Sequence, residues 1–206
     1  MDNLFNIKYN EKNINLEIES AELHLWANAN FKDKIGLYIQ IQAKETDIKE
    51  ENGVDEYYIQ PSIHTEWLEI PLSLIKNKDF RSIASVKVNF SDSGEMNEIE
   101  RMLWTEAPGA LYVENHGAFE QVLIELEYIE KGMFKVSLKG SAEFETPFSV
   151  SAEIPLEVKL NAYDNSATKE AVLSYFNSFL NSDDFTIDWR HSDEDIFFTA
   201  SPKIKN

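Results

Sequence analysis

The chain of 206 residues contains no cysteine and only seven glycines. Without cysteine it can form no disulfide framework, no thiolate-ligated zinc or iron–sulfur site, and no thiol nucleophile. Its few glycines form no phosphate-binding loop, and neither the G-x-S-x-G nor the H-E-x-x-H pattern of hydrolytic enzymes occurs. These absences predict a protein without enzymatic activity and without a cofactor.

Long hydrophobic runs are also missing. No stretch approaches the roughly 18 apolar residues of a membrane span, and the start of the chain lacks the basic and apolar regions of a secretory signal. We therefore expect a cytoplasmic protein that makes no contact with a membrane. The length and the 43% of hydrophobic residues suffice for a packed core, so we predict one domain over residues 1–206.

Basic residues are scarce, with 19 Lys and Arg against 37 Asp and Glu, which gives a formal net charge of -18. The excess lies in residues 45–56, 92–130 and 182–195, whose net charges are -5, -9 and -5, whereas the other 141 residues are nearly neutral. Because phosphate contacts require a basic stripe, we expect no binding to nucleic acid. Negative charge gathered in segments favours a cationic partner.

Alternation of apolar and polar residues is the dominant pattern, and it predicts β-strands. Ile14, Leu16 and Ile18 alternate with polar residues, and the alternation resumes at Leu23 after a slip near Ser20. A slip of one residue in such a pattern indicates a β-bulge.

Turn residues divide the centre of the chain into a meander. Glu130-Lys131-Gly132 and Lys139-Gly140 predict two tight turns, so residues 121–145 should form consecutive antiparallel strands. The same criteria predict further strands at residues 35–41, 56–60, 66–72, 83–90, 148–160, 185–190 and 196–200.

A short internal echo, Glu-Ile-Pro-Leu, occurs at residues 69–72 and again at 153–156. It predicts a weak pseudo-repeat of residues 12–90 and 119–162 within the single domain. Because proline cannot donate to a strand ladder, both prolines should lie at sheet margins.

Two segments have a helical period. In residues 166–181 the apolar residues recur with helical spacing, and Asn165 or Ser166 precedes them as an N-cap. A shorter helix is predicted over residues 94–105. The fold class predicted from all these patterns is α+β: a β-rich single domain of mainly antiparallel sheet, a sandwich or a half-open barrel, with the C-terminal helix packed on it and a shorter middle helix.

The four histidines, His24, His64, His116 and His191, are far apart in the sequence, and each is interpreted as a surface or structural residue. Residues 188–195 around His191 are rich in carboxylates, but they lack the spacing and the glycine of a calcium loop. Strands predicted on both sides make this run a hairpin tip, so we predict no metal site.

Two tryptophans fall on the polar faces of their strands. Trp26 lies on the same face of its strand as His24, and Trp67 lies on the same face as Glu69. A large aromatic side chain on a polar face requires a cover or a ligand. We expect the C-terminal helix to cover this face; the alternative is an aromatic platform for a sugar or a partner.

Three functions remain open. The first is a non-enzymatic, acidic protein-binding module, for instance an immunity or inhibitor protein that neutralises a cationic partner such as a bacterial toxin. The second is a β-sandwich carbohydrate-binding module that uses the two tryptophans. The third is an enzyme whose site escapes the motif search. The charge distribution favours the first.

The predicted partner-binding residues belong to the most acidic segment. In this hypothesis the middle helix and the loop after it bind a cationic protein, with Trp104 as an aromatic anchor. We expect charge reversal at Glu95 and Glu98 to weaken partner binding far more than charge reversal at Glu143 and Glu145. The carboxylates of this predicted interface are Glu95, Glu98, Glu106 and Glu114.

Overall fold

A computed structural model describes residues 3–28, 34–49, 56–66, 68–91, 107–143, 146–162, 168–191 and 196–203. These residues hold fifteen strands and one α-helix, α1 (Lys169–Phe179). No helix in this part of the chain is long and apolar enough to cross a membrane. The strands are β1 (Leu4–Tyr9), β2 (Lys12–Leu16), β3 (Ile18–Asn28), β4 (Lys34–Ala43), β5 (Thr46–Lys49), β6 (Glu56–Ile59), β7 (Ser62–Thr65), β8 (Leu68–Pro71), β9 (Lys87–Ser91), β10 (Gly109–Tyr112), β11 (His116–Tyr128), β12 (Met133–Ala142), β13 (Thr146–Ala162), β14 (Phe185–His191) and β15 (Ile196–Pro202).

Seven strands close into a barrel in the order β3-β4-β7-β10-β11-β12-β13, with β13 pairing back onto β3. Each antiparallel pairing reverses the strand direction, so a closed ring of seven strands requires an odd number of parallel pairs. Here the parallel pair is β3 with β13, and the other six pairs are antiparallel. The predicted β-rich α+β class is confirmed, and the sheet forms a closed barrel where the sequence predicted a sandwich or a half-open barrel.

The barrel interior is filled by the apolar residues of the alternating pattern. Along β4, Ile35, Leu37, Ile39 and Ile41 point inward and are buried, and the residues between them are polar or glycine. Thr65 is the polar exception: its buried hydroxyl accepts a hydrogen bond of 2.9 Å from the backbone N–H of Ile39. This bond satisfies the backbone N–H of Ile39 at the point where the strand paired with β4 changes from β8 to β7.

Shorter strands extend the barrel wall. The hairpin β1–β2 pairs with β13 through β1, and the hairpin β14–β15 pairs with β13 through β15. Strand β8 pairs with β4, and β9 pairs with β11. The hairpin β5–β6 forms a separate two-stranded sheet. Short 3-10 helices lie at Leu72–Leu74, Lys76–Lys78, Phe80–Ser85 and Ser182–Asp184.

The predicted bulge and one of the two predicted turns are confirmed. The register of β3 against β4 shifts between Ile18 and Ser20. The β11–β12 turn contains Lys131 and Gly132, both with positive φ, as the sequence predicted. The turn predicted at Lys139-Gly140 is wrong, because both residues lie inside β12 and the strand continues to Ala142.

Gly140 allows two strands to approach each other closely and does not lie in a turn. A Cβ atom at this position would lie 1.9 Å from the carbonyl oxygen of Gln121. The β11–β12 register shifts between Phe119 and Gln121, directly beside this contact. A glycine in a strand often marks a bulge or a close backbone approach, and here it marks both.

The prolines of the internal echo have different surroundings. Pro71 ends β8, which lies at the margin of the sheet, as predicted. Pro155 lies inside β13, so the margin predicted for it is wrong. Residues of β13 before it pair with β12 and β1, and residues after it pair with β3 and β15. Pro155 is tolerated because the hydrogen-bonding neighbours change on both edges at this point.

The C-terminal helix is confirmed, with a different N-cap. The hydroxyl of Thr168 accepts a hydrogen bond of 3.2 Å from the N–H of Ala171, so Thr168 caps α1 in place of Asn165 or Ser166. The buried face of α1 presents Phe176 to Phe185 of β14 and Phe198 of β15. The helix therefore covers the β14–β15 hairpin. The helix predicted over residues 94–105 lies outside the described residues.

Candidate functional site

Of the predicted partner-binding residues, Glu114 falls in the part of the chain that the structure describes. It is exposed at the tip of the β10–β11 hairpin, between Tyr112 and His116, which face each other across the two strands. The other predicted residues lie outside the described residues: Glu95, Glu98, Trp104 and Glu106.

Glu114 lines a surface cleft of about 430 Å³ at one end of the barrel. Three connections meet there: the β1–β2 turn, the β10–β11 tip and the β12–β13 connection. The cleft has an apolar floor and carboxylates at its rim. Its lining residues are Lys8, Tyr9, Asn10, Glu11, Leu111, Val113, Glu114, Asn115, Gly117, Ala142, Glu143 and Thr146.

The β1–β2 turn brings Glu11 to this cleft. Asn10 and Glu11 both adopt positive φ, as in the two-residue turns that match the twist of a hairpin. Glu11 then reaches back to Lys8 at 2.8 Å, and this contact lowers the pKa of the Glu11 carboxyl. Both residues of the ion pair are exposed to a large extent, so it holds the turn only weakly.

Glu143 reaches the cleft from the end of β12. Its Oε2 atom accepts a hydrogen bond of 3.2 Å from the backbone N–H of Ala118. The sequence analysis used Glu143 as a comparison residue outside the predicted interface, yet Glu143 and Glu114 line the same cleft. Neighbouring hairpins bring together carboxylates that are far apart in the chain.

The β5–β6 hairpin, from the first acidic segment, leaves the barrel at the same end. Ser62, which follows β6, pairs with both Gln42 of β4 and Tyr112 of β10. On the hairpin, Asp47 lies opposite Tyr58, an aromatic residue that is 65% exposed. We call this region the acidic end and define it by the residues Glu11, Asp47, Tyr58, Glu114 and Glu143.

The first described residues of the third acidic segment, 182–184, lie at the opposite end of the barrel. Asp183 and Asp184 belong to the 3-10 helix before β14, where the backbone oxygen of Asp184 accepts a hydrogen bond of 2.8 Å from the N–H of Lys203. The hydrogen bond to Asp79 raises the pKa of Arg81, and Tyr128 and Asp184 raise it further, so Asp184 lies near the end of β11 that is far from Glu114. Two of the three acidic segments therefore contribute described residues to one end, and the third does not.

A second feature is a row of polar rings on the outer face of the barrel, which crosses the adjacent strands β3, β4, β7, β10 and β11. We call it the polar belt. The sequence interpretation of scattered histidines missed it, because only the strand register shows that three of them share one face. The belt consists of His24, Tyr38, His64, Tyr112 and His116.

The rings of the belt pack against one another. His64 stacks on Tyr112 with centroids 4.8 Å apart and an angle of 28° between the planes. The ring centroid of His116 lies 4.8 Å from that of the same tyrosine, in an edge-to-face arrangement. Rings stacked along a sheet cover one another's faces, so they leave little flat aromatic surface for a sugar ring.

Carboxylates surround the first half of the belt. Nε2 of His24 lies 2.8 Å from Oε2 of Glu22 and 3.0 Å from Nζ of Lys159. Its Nδ1 atom lies 3.1 Å from Oε2 of Glu157 but has no hydrogen-bond partner among the described residues. His24 is only 6% exposed, so this face of β3 and β13 is covered by its own polar side chains.

Tyr38 lies at the most negative part of the belt. Burial raises its pKa, and the nearby charges of Glu22 and Glu66 raise the pKa further. Its hydroxyl donates a hydrogen bond of 2.9 Å to Oε1 of Gln40. The belt therefore has negative charge beside its rings, and negative charge attracts lysine and arginine side chains.

His64 should make the fold less stable in weak acid. Burial lowers the pKa of His64 from its ordinary value of 6.5, and His116 lowers it further, although Glu66 opposes the shift. Just below pH 6.5 the unfolded chain therefore binds a proton that the folded chain does not, so the free energy of unfolding decreases as the pH is lowered. The loss on going from about pH 7.5 to about pH 5.5 should be smaller in His64→Gln, as measured by urea unfolding. An identical loss in the variant and the parent would contradict this assignment.

The two tryptophans give little support to a sugar platform. Trp26 is half-buried and lies opposite Gly36 of β4, on the same outer face as His24. The helix α1 packs on β14 and β15, so the predicted cover of Trp26 by α1 is not observed. Trp67 lies outside the described residues.

The chemistry available at these surfaces is recognition of positive charge. Nowhere in the described part of the chain do three His, Asp or Glu side chains group to hold a metal ion. The acidic end offers carboxylates around an apolar floor, and the belt offers polar rings beside further carboxylates. No protein-family model, no curated protein and no solved structure matches the chain.

Proposed function

We propose that this chain is a non-enzymatic protein-binding module that neutralises a cationic partner, in the manner of an immunity or inhibitor protein. One observation carries the proposal: three separate connections bring Glu11, Glu114 and Glu143 to one cleft. Among the described residues that line the cleft, Lys8 is the one cation. Carboxylates gathered without matching cations cost stability, and a cationic partner relieves that cost.

The shape of the cleft suits a lysine or arginine side chain of the partner. Leu111, Val113 and Ala142 provide apolar surface for the methylene stem. Glu114 and Glu143 at the rim accept hydrogen bonds from the charged group, and such charge-assisted bonds are stronger than neutral ones.

Tyr58 serves as an aromatic anchor on the β5–β6 hairpin, at the same end of the barrel as the cleft. Exposed tyrosines are enriched at the centres of protein interfaces, because they bury a large area with few rotatable bonds. Tyr58 is 65% exposed and lies opposite Asp47 on the β5–β6 hairpin. In this proposal Tyr58 has the role of aromatic anchor that the sequence analysis predicted for Trp104.

A toxin that acts on nucleic acid or another phosphate substrate is the class of partner that fits this surface best. Its active site must be basic to hold phosphate groups, and an anionic inhibitor that covers the site associates rapidly and specifically. No described feature specifically favours the carbohydrate-binding alternative, because the belt rings cover one another.

An affinity purification from the native host tests this function. The unmodified chain should retain a basic protein at low salt, and the double variant Glu114→Lys, Glu143→Lys should lose it, with binding weakened by about 100-fold or more for two reversed charges. The control is Glu127→Lys, Glu130→Lys, which makes the same charge change with exposed residues near the other end of the barrel. Equal retention by the two double variants would contradict the proposed interface.

A further inference from the structure

The polar belt runs into the acidic end at the β10–β11 hairpin. Tyr112 and His116 form the last pair of this hairpin before its tip, and Glu114 lies midway between them in the turn. The Tyr112 ring has its centroid 4.8 Å from the ring centroids of both His64 and His116. His116 thus lies two residues from Glu114, and His64 lies on the adjacent strand β7, with the Tyr112 ring in contact with both histidines.

Each strand packed against these histidines contributes groups that face them. His64 faces Tyr38 and Gln40 of β4 and Tyr112 of β10, together with Glu66 that follows β7. Besides Tyr112, His116 has Glu114 two residues before it and His64 on β7, beyond β10. The Glu143 carboxylate accepts a hydrogen bond from the N–H of Ala118, two residues after His116.

We propose that His64 and His116 make binding at the acidic end dependent on pH, so that the cationic partner is held at neutral pH and released in weak acid. This inference rests on the proposed function. Histidine normally changes charge between about pH 5 and 8, so neutral rings leave Glu66 and Glu114 uncompensated at neutral pH. Protonation places two positive charges beside them and reduces the attraction for a cation.

The position of the two rings makes them well suited to this role. His116 is exposed and His64 is half-buried, so the added charges lie at the surface that the partner contacts. Their influence on each other is visible in the pKa of His64, which His116 lowers. By linkage, a bound cation disfavours protonation of the two rings, so binding and protonation oppose each other.

A labelled peptide of ten arginines is the probe. Fluorescence anisotropy at low salt should show binding at about pH 7.5 that becomes about five- to thirtyfold weaker at about pH 5.5, the effect of two surface charge pairs. Carboxylates of ordinary pKa remain ionised at both values. The double variant His64→Gln, His116→Gln should lose most of this change, and His116→Gln alone should lose about half of it. Far-UV circular dichroism confirms that each protein is folded at both values of pH.

The outcomes separate this inference from the proposed function. Binding that is equally tight at both values of pH, or a change that persists in the double histidine variant, overturns the pH dependence alone. Failure to bind the peptide at neutral pH, or equal binding by Glu114→Lys, Glu143→Lys and by the control Glu127→Lys, Glu130→Lys, overturns the proposed function as well. A change with pH in the unmodified chain that disappears in the double histidine variant supports the inference.

Discussion

Replacing Phe176 by alanine should lower the free energy of unfolding by about 3 to 5 kcal/mol, the range for removing a buried phenylalanine. The side chain is fully buried, and its ring lies 5.3 to 5.6 Å from the rings of Phe179, Phe185 and Phe198. The substitution would leave a cavity at the point where α1 meets the β14–β15 hairpin. Urea unfolding followed by circular dichroism measures the change.

The matched control lies on the same helix. Glu170→Ala removes an exposed side chain near the start of α1 and should change stability by less than about 1 kcal/mol. If Phe176→Ala and Glu170→Ala have the same unfolding midpoint as the parent, α1 does not pack on the hairpin in solution.

Gly140→Ala should cost on the order of 3 kcal/mol although it adds a single methyl group. The new Cβ would lie 1.9 Å from the carbonyl oxygen and 2.8 Å from the carbonyl carbon of Gln121, and both atoms belong to the backbone. Rotation of a side chain cannot relieve this clash, so β11 and β12 would have to separate. Thermal or urea unfolding tests the prediction.

Gly117 provides the comparison for Gly140. A Cβ at Gly117 would meet its nearest neighbours at 3.6 Å, which is ordinary contact, so Gly117→Ala should cost less than about 1 kcal/mol. Both positions are glycines within strands, and only the approach of the neighbouring backbone differs. Equal stability of the two variants would mean that the two strands are not as close at Gly140 as described.

Local patterns in the sequence predicted much of the fold. The two-residue period located most of the long strands, the slip near Ser20 predicted the bulge, and the apolar spacing in residues 166–181 predicted α1. Each of these features depends on neighbours within a few residues. The same local reasoning misread Gly140, because a glycine at a close approach resembles a glycine in a turn.

Closure of the barrel could not be predicted in this way. It depends on the parallel pairing of β3 with β13, in which Leu23 lies opposite Leu156. No short-range pattern specifies a pair separated by more than a hundred residues. The position of Pro155 was predicted wrongly for the same reason. It is tolerated because the strands paired with β13 change at this residue, and those strands are distant in the sequence. The single domain and the pseudo-repeat stay predictions.

The candidate site was predictable in charge but not in position. The distribution of charge along the sequence located the acidic segments, and Glu114 of the second segment lies at an exposed hairpin tip. Only the strand register shows that Glu143 shares its cleft and that Asp183 lies at the other end. The polar belt was hidden because His24, His64 and His116 become neighbours only through pairing of five strands.

The most direct test of the central claim, that the acidic end attracts a cationic partner, is the association rate constant of the purified partner as a function of ionic strength. Between about 0.02 and 0.5 M ionic strength the Debye length falls from roughly 20 Å to below 5 Å, so steering by Glu114 and Glu143 should be largely lost. The account predicts that association slows by about tenfold or more over this range while dissociation changes little, and that Glu114→Lys, Glu143→Lys reduces the dependence on salt. An association rate that is independent of salt, or equally dependent in that variant, would contradict it.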